Sequence, residues 1–345
     1  MTASRSERPS ASRRPEDDSR RTGAMMRTDF AGGSVQSRAL ELALRSTVKV
    51  ALRVWAPTWR LPWPVGLVDH AGRLLRTVSG VTYEPVMLPH CRAELACPPR
   101  ATSGRFVLYL HGGGFHVGGR HLHRQMVGRF VQLLGTPVLQ VNYRKLPRHS
   151  ITSSIEDCLD AYRHILELGV DPARLIVMGD SAGGYLAFMT ALGIREAGLP
   201  MPAALVAMSP FTDWDHTLKC AAPTAQTCAV FPRSAPEPLL AAATKCNRDE
   251  RLISPARCDL TGLPPTLIQA SSTEFLYPDA VLMADQLDAH GVPCELQVWN
   301  QQVHVFQAAA AVVPEAAQAV AEVVRFIDGV LPPSSDEPTM RCRPA

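Results

Sequence analysis

The chain has 345 residues and a formal net charge of +3, with 46% hydrophobic and 19% charged residues, enough for one large α/β domain with insertions and a sizeable core. The positive excess lies largely in an Arg-rich amino-terminal segment, and the remainder has neither a long basic run nor zinc-finger spacing, which argues against a nucleic-acid partner. No apolar run reaches bilayer-spanning length, and nine cysteines without a C-x-x-C pair read as reduced thiols in a cytoplasmic protein, with neither a metal framework nor a disulfide scaffold.

Residues 1–34 are rich in Arg, Ser, Pro and Asp with almost no apolar periodicity, so they are predicted to form a disordered tail. The acidic run Glu16-Asp17-Asp18 argues against a transit peptide. Residues 35–100 are predicted to hold a helical or cap segment and the first strands. From Val35 to Val54, residues Leu40, Leu44, Val48 and Leu52 recur at helical spacing, with Arg38, Arg45, Lys49 and Arg53 interleaved. Trp55, Trp59 and Trp63 lengthen the apolar surface just after it. Two readings stand for this helix: a lid over a lipophilic pocket, or peripheral contact with a membrane surface.

Residues 101–331 are predicted to form the catalytic body. Phe106 to Leu110 is a short apolar strand that runs into His111-Gly112-Gly113-Gly114, a triple glycine whose backbone N–H groups can point into a cleft and stabilise a developing oxyanion. Thr136 to Tyr143 fits a strand buried in a parallel sheet, and Ser154 to Leu168 a helix with Cys158, Tyr162 and Ile165 on one face. Arg144, between them, either ties down a loop beside the site or ends a strand in solvent. Next comes RLIVMGDSAGGY, Arg174 to Tyr185, followed by helical composition to Leu192. It reads as strand, tight turn and helix with Ser181 at the apex: a nucleophile elbow, in which the glycines two residues to either side let strand and helix approach. Strand and helix thus alternate, which predicts an α/β class with a mostly parallel central sheet clad on both faces.

HGGGF with GDSAGG resembles the bacterial hormone-sensitive-lipase-like esterases, carboxylic ester hydrolases of the α/β-hydrolase fold. The similarity runs from about Arg105 to Phe326 and takes in Tyr143-Arg144 with Pro147, Asp157, Asp171-Pro172, Ser209-Pro210 with Asp213, and Gly262-Leu263-Pro264-Pro265. The resemblance implies oxyanion donors at Gly113, Gly114 and Ala182. After Pro147 the chain departs from the family pattern, with Arg148-His149-Ser150 where an acidic residue and a Phe-Pro pair are usual.

Ala204 to Met208 is a further core strand, and the proline-interrupted stretch 217–257 is predicted to be a cap insertion that selects the acyl or alcohol group. A serine hydroxyl needs a base, and the base an orienting acid; in these folds both follow the serine, acid first. His216, His290 and His304 follow Ser181. His216 precedes the cap and His290 ends a helix, so both are predicted at the surface or at helix ends, whereas His304 lies in a loop after the strand Cys294 to Trp299. His304 is the candidate base. Glu274 lies just past the strand Thr266 to Ala270 and matches the family's acidic-x-Leu motif as Glu274-Phe275-Leu276, with Asp279 as the rival acid. A terminal helix spans Val312 to Ile327, and residues 332–345 are predicted to be a loose tail.

The resulting expectation is a serine carboxylic ester hydrolase for short- to medium-chain esters, with Ser181, His304 and Glu274 as catalytic residues and neither metal nor organic cofactor. Amide hydrolysis or acyl transfer would use the same residues, and a non-catalytic ligand-binding module would use the same fold. A small-molecule ester is the expected ligand; lipid contact through the N-terminal helix and a homodimer across an exposed sheet edge are the two further partner readings.

Overall fold

The computed structural model describes residues 25–334 apart from 62, 65 and 249. Its strands, in chain order, are β1 (Met26–Phe30), β2 (Thr82–Met87), β3 (Arg92–Cys97), β4 (Phe106–Leu110), β5 (Val138–Asn142), β6 (Leu175–Asp180), β7 (Ala204–Met208), β8 (Thr266–Ser271) and β9 (Cys294–Trp299). They form one sheet in the order β1-β9-β8-β7-β6-β4-β5-β3-β2. β2 and β3 pair antiparallel, as do β3 and β5, and the other neighbours are parallel. The helices are α1 (Val35–Ser46), α2 (Val48–Thr58), α3 (Gly66–Ala71), α4 (Arg120–Leu134), α5 (Ile151–Glu167), α6 (Ala182–Glu196), α7 (Thr217–Ala221), α8 (Thr224–Thr227), α9 (Pro236–Asn247), α10 (Tyr277–Ala289) and α11 (Pro314–Val330).

β4 and β7, near the middle of the sheet, are apolar throughout because both faces are covered. Successive side chains of a strand point to opposite faces. In β4, Phe106, Leu108 and Leu110 enter the core shared with α5, α6 and α10, while Val107 and Tyr109 enter the one shared with α4 and α11. β6 repeats the division, Leu175 and Val177 on one side, Ile176 and Met178 on the other. Parallel strands with helices on both faces bring all their C-terminal ends to one edge of the sheet, where the loops after β4, β6, β8 and β9 meet.

Three expectations require correction. Within the segment expected to be a disordered tail, Met26–Phe30 is a strand parallel to β9, and Phe30 stacks on Trp299 with ring centroids 4.0 Å apart; the pairing partners lie far along the chain, so no local pattern announces them. Residues 1–24 and 335–345 lie outside the described residues. The single helix expected from Val35 to Val54 is two, because Thr47 leaves helical geometry at φ −117°, ψ −76°. Seven of the eight described cysteines are free, as expected, but Cys97 is disulfide-bonded, and the compartment argument built on cysteines loses its footing, since disulfides persist where the surroundings are oxidising. No helix among the described residues is long and apolar enough to cross a membrane.

Candidate active site

Ser181 connects β6 to α6 with φ 52° and ψ −117°, a conformation that costs a non-glycine residue on the order of 1–3 kcal/mol. Neighbouring elements hold it there. Its N–H donates to the Met208 carbonyl at the end of β7 (2.8 Å), and its own carbonyl accepts from Gly184 (3.0 Å), Tyr185 (3.3 Å) and Phe211 (3.1 Å). A Cβ on Gly183 would overlap the Leu110 carbonyl, and one on Gly179 the Gly183 carbonyl. The motif's two flanking glycines are therefore required by the close passage of β4, β6 and α6.

The loops after β8 and β9 bring the other two candidates to the serine. His304 Nε2 lies 2.9 Å from Ser181 Oγ, and His304 Nδ1 lies 2.5 Å from Glu274 Oε2. The other carboxylate oxygen of Glu274 accepts from the Ser271 N–H at 2.7 Å, and the carboxylate is fully buried. An ionised carboxylate only accepts, so Nδ1 carries the imidazole proton and the Nε2 lone pair faces the hydroxyl. Ser271 Oγ donates to the Gln302 carbonyl (2.6 Å), locking the two loops together, and the Val305 N–H donates to Ser209 Oγ (3.1 Å), fixing the far side of the histidine. Asp279, the rival acid, is engaged elsewhere: it accepts from the N–H groups of Thr212 and Asp213 and pairs with the buried Lys219 ammonium at 2.8 Å.

The triple-glycine loop is fastened to the elbow by Asp180, which neither motif singles out by itself. Asp180 Oδ1 accepts from Tyr109 Oη (2.6 Å) and the Gly112 N–H (3.0 Å), and Oδ2 lies 3.5 Å from His123 Nε2. Burial raises the Asp180 pKa, but His123 and these donors outweigh it and leave the carboxyl below its ordinary value. Burial likewise disfavours a charged His123, yet Asp180 raises its pKa above the ordinary value. Gly113 sits at φ 119°, where a Cβ would overlap the Val117 carbonyl. Among the described residues the N–H groups of Gly113, Gly114 and Ala182 donate to no acceptor, and all three residues line the same cavity as Ser181 and His304.

That cavity has a volume of about 690 Å³, within the usual range for a small-molecule site. Leu52 and Trp55 of α2, Leu67 of α3, and Phe231 and Leu239 from the stretch between β7 and β8 wall it, and Phe231 meets the His304 ring edge-on at 4.8 Å. His216, expected at the surface or a helix end, is the N-cap residue of α7 and also lines the cavity; burial and then the Lys219 charge lower its pKa to about 4, so it is neutral near pH 7. His290 closes the C-terminus of α10. Arg144 does tie down its loop, through Nε to Asp157 Oδ1 at 2.9 Å. Sequence reasoning passed over Asp180, Lys219 and Phe231. Only Asp180 carried a signal, an acid inside the elbow motif itself.

The strand order, the elbow after β6 and the loops converging on it define an α/β hydrolase, and a family model described as an alpha/beta hydrolase fold matches residues 107–308. Among curated proteins, the chain is 40% identical over 291 residues to Esterase LipU of Mycobacterium tuberculosis, covering 81% of this chain and 98% of that one. It is 38% identical over 332 residues to Carboxylesterase/phospholipase LipF of the same organism, covering 93% and 89% respectively. Among solved structures, the esterase EstE5 superposes with a TM-score of 0.77 at 28% identity, covering 87% of this chain and 99% of that one. An esterase described as belonging to the bacterial hormone-sensitive lipase family superposes with a TM-score of 0.75, again at 28% identity and with the same coverage. The chain therefore belongs to the bacterial hormone-sensitive-lipase-like esterases of the α/β-hydrolase fold. It is a carboxylesterase or lipase-like hydrolase.

Proposed function

We propose that the chain cleaves short- to medium-chain carboxylic esters through an acyl-enzyme on Ser181. His304 Nε2 takes the hydroxyl proton as Oγ attacks the ester carbonyl, and Glu274 stabilises the imidazolium. The carbonyl oxygen, now an oxyanion, lies against the N–H groups of Gly113, Gly114 and Ala182, each such donor being worth about 3–4 kcal/mol in the transition state. The alcohol departs with the proton from His304. Water then gives a proton to His304 and its oxygen to the acyl carbon, releasing the acid and restoring Ser181. Every proton in this sequence moves between Ser181, His304, substrate and water.

The observation that carries the reading is the continuous line from Glu274 through His304 to Ser181, with hydrogen-bond distances of 2.5 and 2.9 Å. The apolar cavity walls favour an aliphatic acyl group, and the volume of about 690 Å³ suits one of modest length together with its alcohol. The test is hydrolysis of p-nitrophenyl esters graded by acyl length, by wild type and Ser181→Ala. Activity concentrated at short and medium chains and abolished in the variant is expected. Comparable turnover by the variant contradicts the assignment of the nucleophile, and a maximum at long chains contradicts the substrate class.

A further inference from the structure

The segment that walls the cavity has a second face, turned to solvent. Nine of the nineteen exposed large apolar side chains among the described residues fall between Val48 and Leu75, including Leu61 at 60% and Leu74 at 88% exposure. A soluble surface scatters such residues singly; clustering of this kind marks a contact face. Arg53, Arg60, Arg73 and Arg76 are exposed along the same stretch. Its sole acid, Asp69, turns Oδ1 to the N–H groups of His121 and Leu122 at the start of α4. Val48, Trp63, Leu67 and Val68 are both exposed and cavity-lining, so the apolar face continues over the rim into the pocket that holds Ser181.

We infer that α2, α3 and the chain as far as Arg76 form a docking face for an anionic lipid surface, with the cavity mouth turned towards the lipid. Aliphatic side chains among arginines match the boundary between acyl chains and negative headgroups. Residues 1–24 and 335–345 contain no Val, Leu, Ile, Phe, Tyr or Trp, so their composition offers no large aliphatic or aromatic match to this face. A second copy in a two-fold pairing would bring the same basic patch against itself, whereas anionic headgroups neutralise it. The inference concerns binding alone and stands whether or not Ser181 carries the chemistry.

The test is sedimentation of the purified full chain with vesicles of phosphatidylcholine, alone or mixed with phosphatidylglycerol, at low and high salt. Two variants avoid the cavity lining: Val54→Asp with Leu61→Asp and Leu74→Asp, and Arg53→Glu with Arg60→Glu and Arg76→Glu. Wild type is expected to sediment with the mixed vesicles, less so in high salt, and each variant to lose roughly tenfold or more in partitioning while keeping its hydrolysis of a soluble ester. If the aspartate variant fails to fold, the charge-reversal variant decides. Failure of wild type to sediment with mixed vesicles, or undiminished sedimentation of a folded variant, overturns the inference. So does a doubled solution mass that the variants abolish without any vesicle binding, which assigns the face to a second copy.

Discussion

Asp180 stands between a glycine and the candidate nucleophile, and its carboxylate joins both halves of the site by bonding the Gly112 N–H and the Tyr109 hydroxyl while facing His123. Its folded pKa is depressed, so its contribution to stability is full above the unfolded value near pH 4 and is lost as pH falls through the lower folded value. The His123 pKa is raised, so its contribution is full below about pH 6.5 and fades as pH rises through the raised value. Asp180→Asn should therefore cost about 2 kcal/mol, most between about pH 4 and 6.5, with the gap to wild type narrowing in stronger acid and again towards alkaline pH. Urea unfolding across that range measures it; a gap independent of pH would show that the pair is not what Asp180 contributes. At the acid, Glu274→Gln keeps the shape but removes the charge that orients His304, and kcat should fall by roughly 10²–10⁴-fold with the circular dichroism spectrum unchanged. Asp279→Asn, by contrast, should act on stability before kcat. The choice between these two acids was open in the sequence because both follow β8 within a few residues; what separates them is that Asp279 lies in the first turn of α10 facing Lys219 of α7, sixty positions earlier in the chain.

Lys219 also shows how an element is held. It lies on α7, buried, with its ammonium on Asp279 and the Asp213 carbonyl and over the Phe211 ring at 4.6 Å. Lys219→Met leaves the buried Asp279 carboxylate with its two backbone N–H donors but without its counter-charge and should destabilise the fold by about 3–5 kcal/mol, read as a fall in the urea midpoint. Replacing Asp279 by Leu in the same chain should recover part of that loss. At the other end of the sheet, Phe30→Ala removes the stack on Trp299 and should cost about 1–2 kcal/mol, measured the same way. β4, β7 and most of β6 were legible because burial on both faces makes them near-continuous apolar runs with helices between, whereas β5, β8 and β9 carry buried polar side chains such as Gln140, Gln269 and Gln297. β1 was not legible: Met26–Phe30 contains one arginine, one aspartate and one threonine, and becomes a strand only because β9 offers an edge of unpaired backbone groups.

Across the whole molecule, the sheet gathers residues 113, 181, 274 and 304 at one edge, and this was the part of the site most readable in advance, since strand ends, glycines and their order along the chain each carry a physical signature. The fastening beneath it was not readable. Asp180 of β6 with His123 of α4, Ser271 at the end of β8 with Gln302, and Val305 with Ser209 are pairings between segments far apart in the chain, and apart from Asp180's place inside the elbow motif nothing local marks either partner. The cavity wall was half readable: tryptophans after an amphipathic helix pointed to an apolar cover, while Phe231 beside the imidazole came from a stretch without recognisable pattern. The central claim is that Ser181 becomes acylated because His304 and Glu274 make its hydroxyl nucleophilic. The most direct measurement is peptide mass mapping after brief exposure to a fluorophosphonate, in wild type, His304→Ala and Ser181→Ala. A single adduct on Ser181, formed at least a hundredfold more slowly without His304 and absent from Ser181→Ala, is the expected result. An adduct on another residue, or labelling of Ser181 at an unchanged rate when His304 is removed, would contradict it.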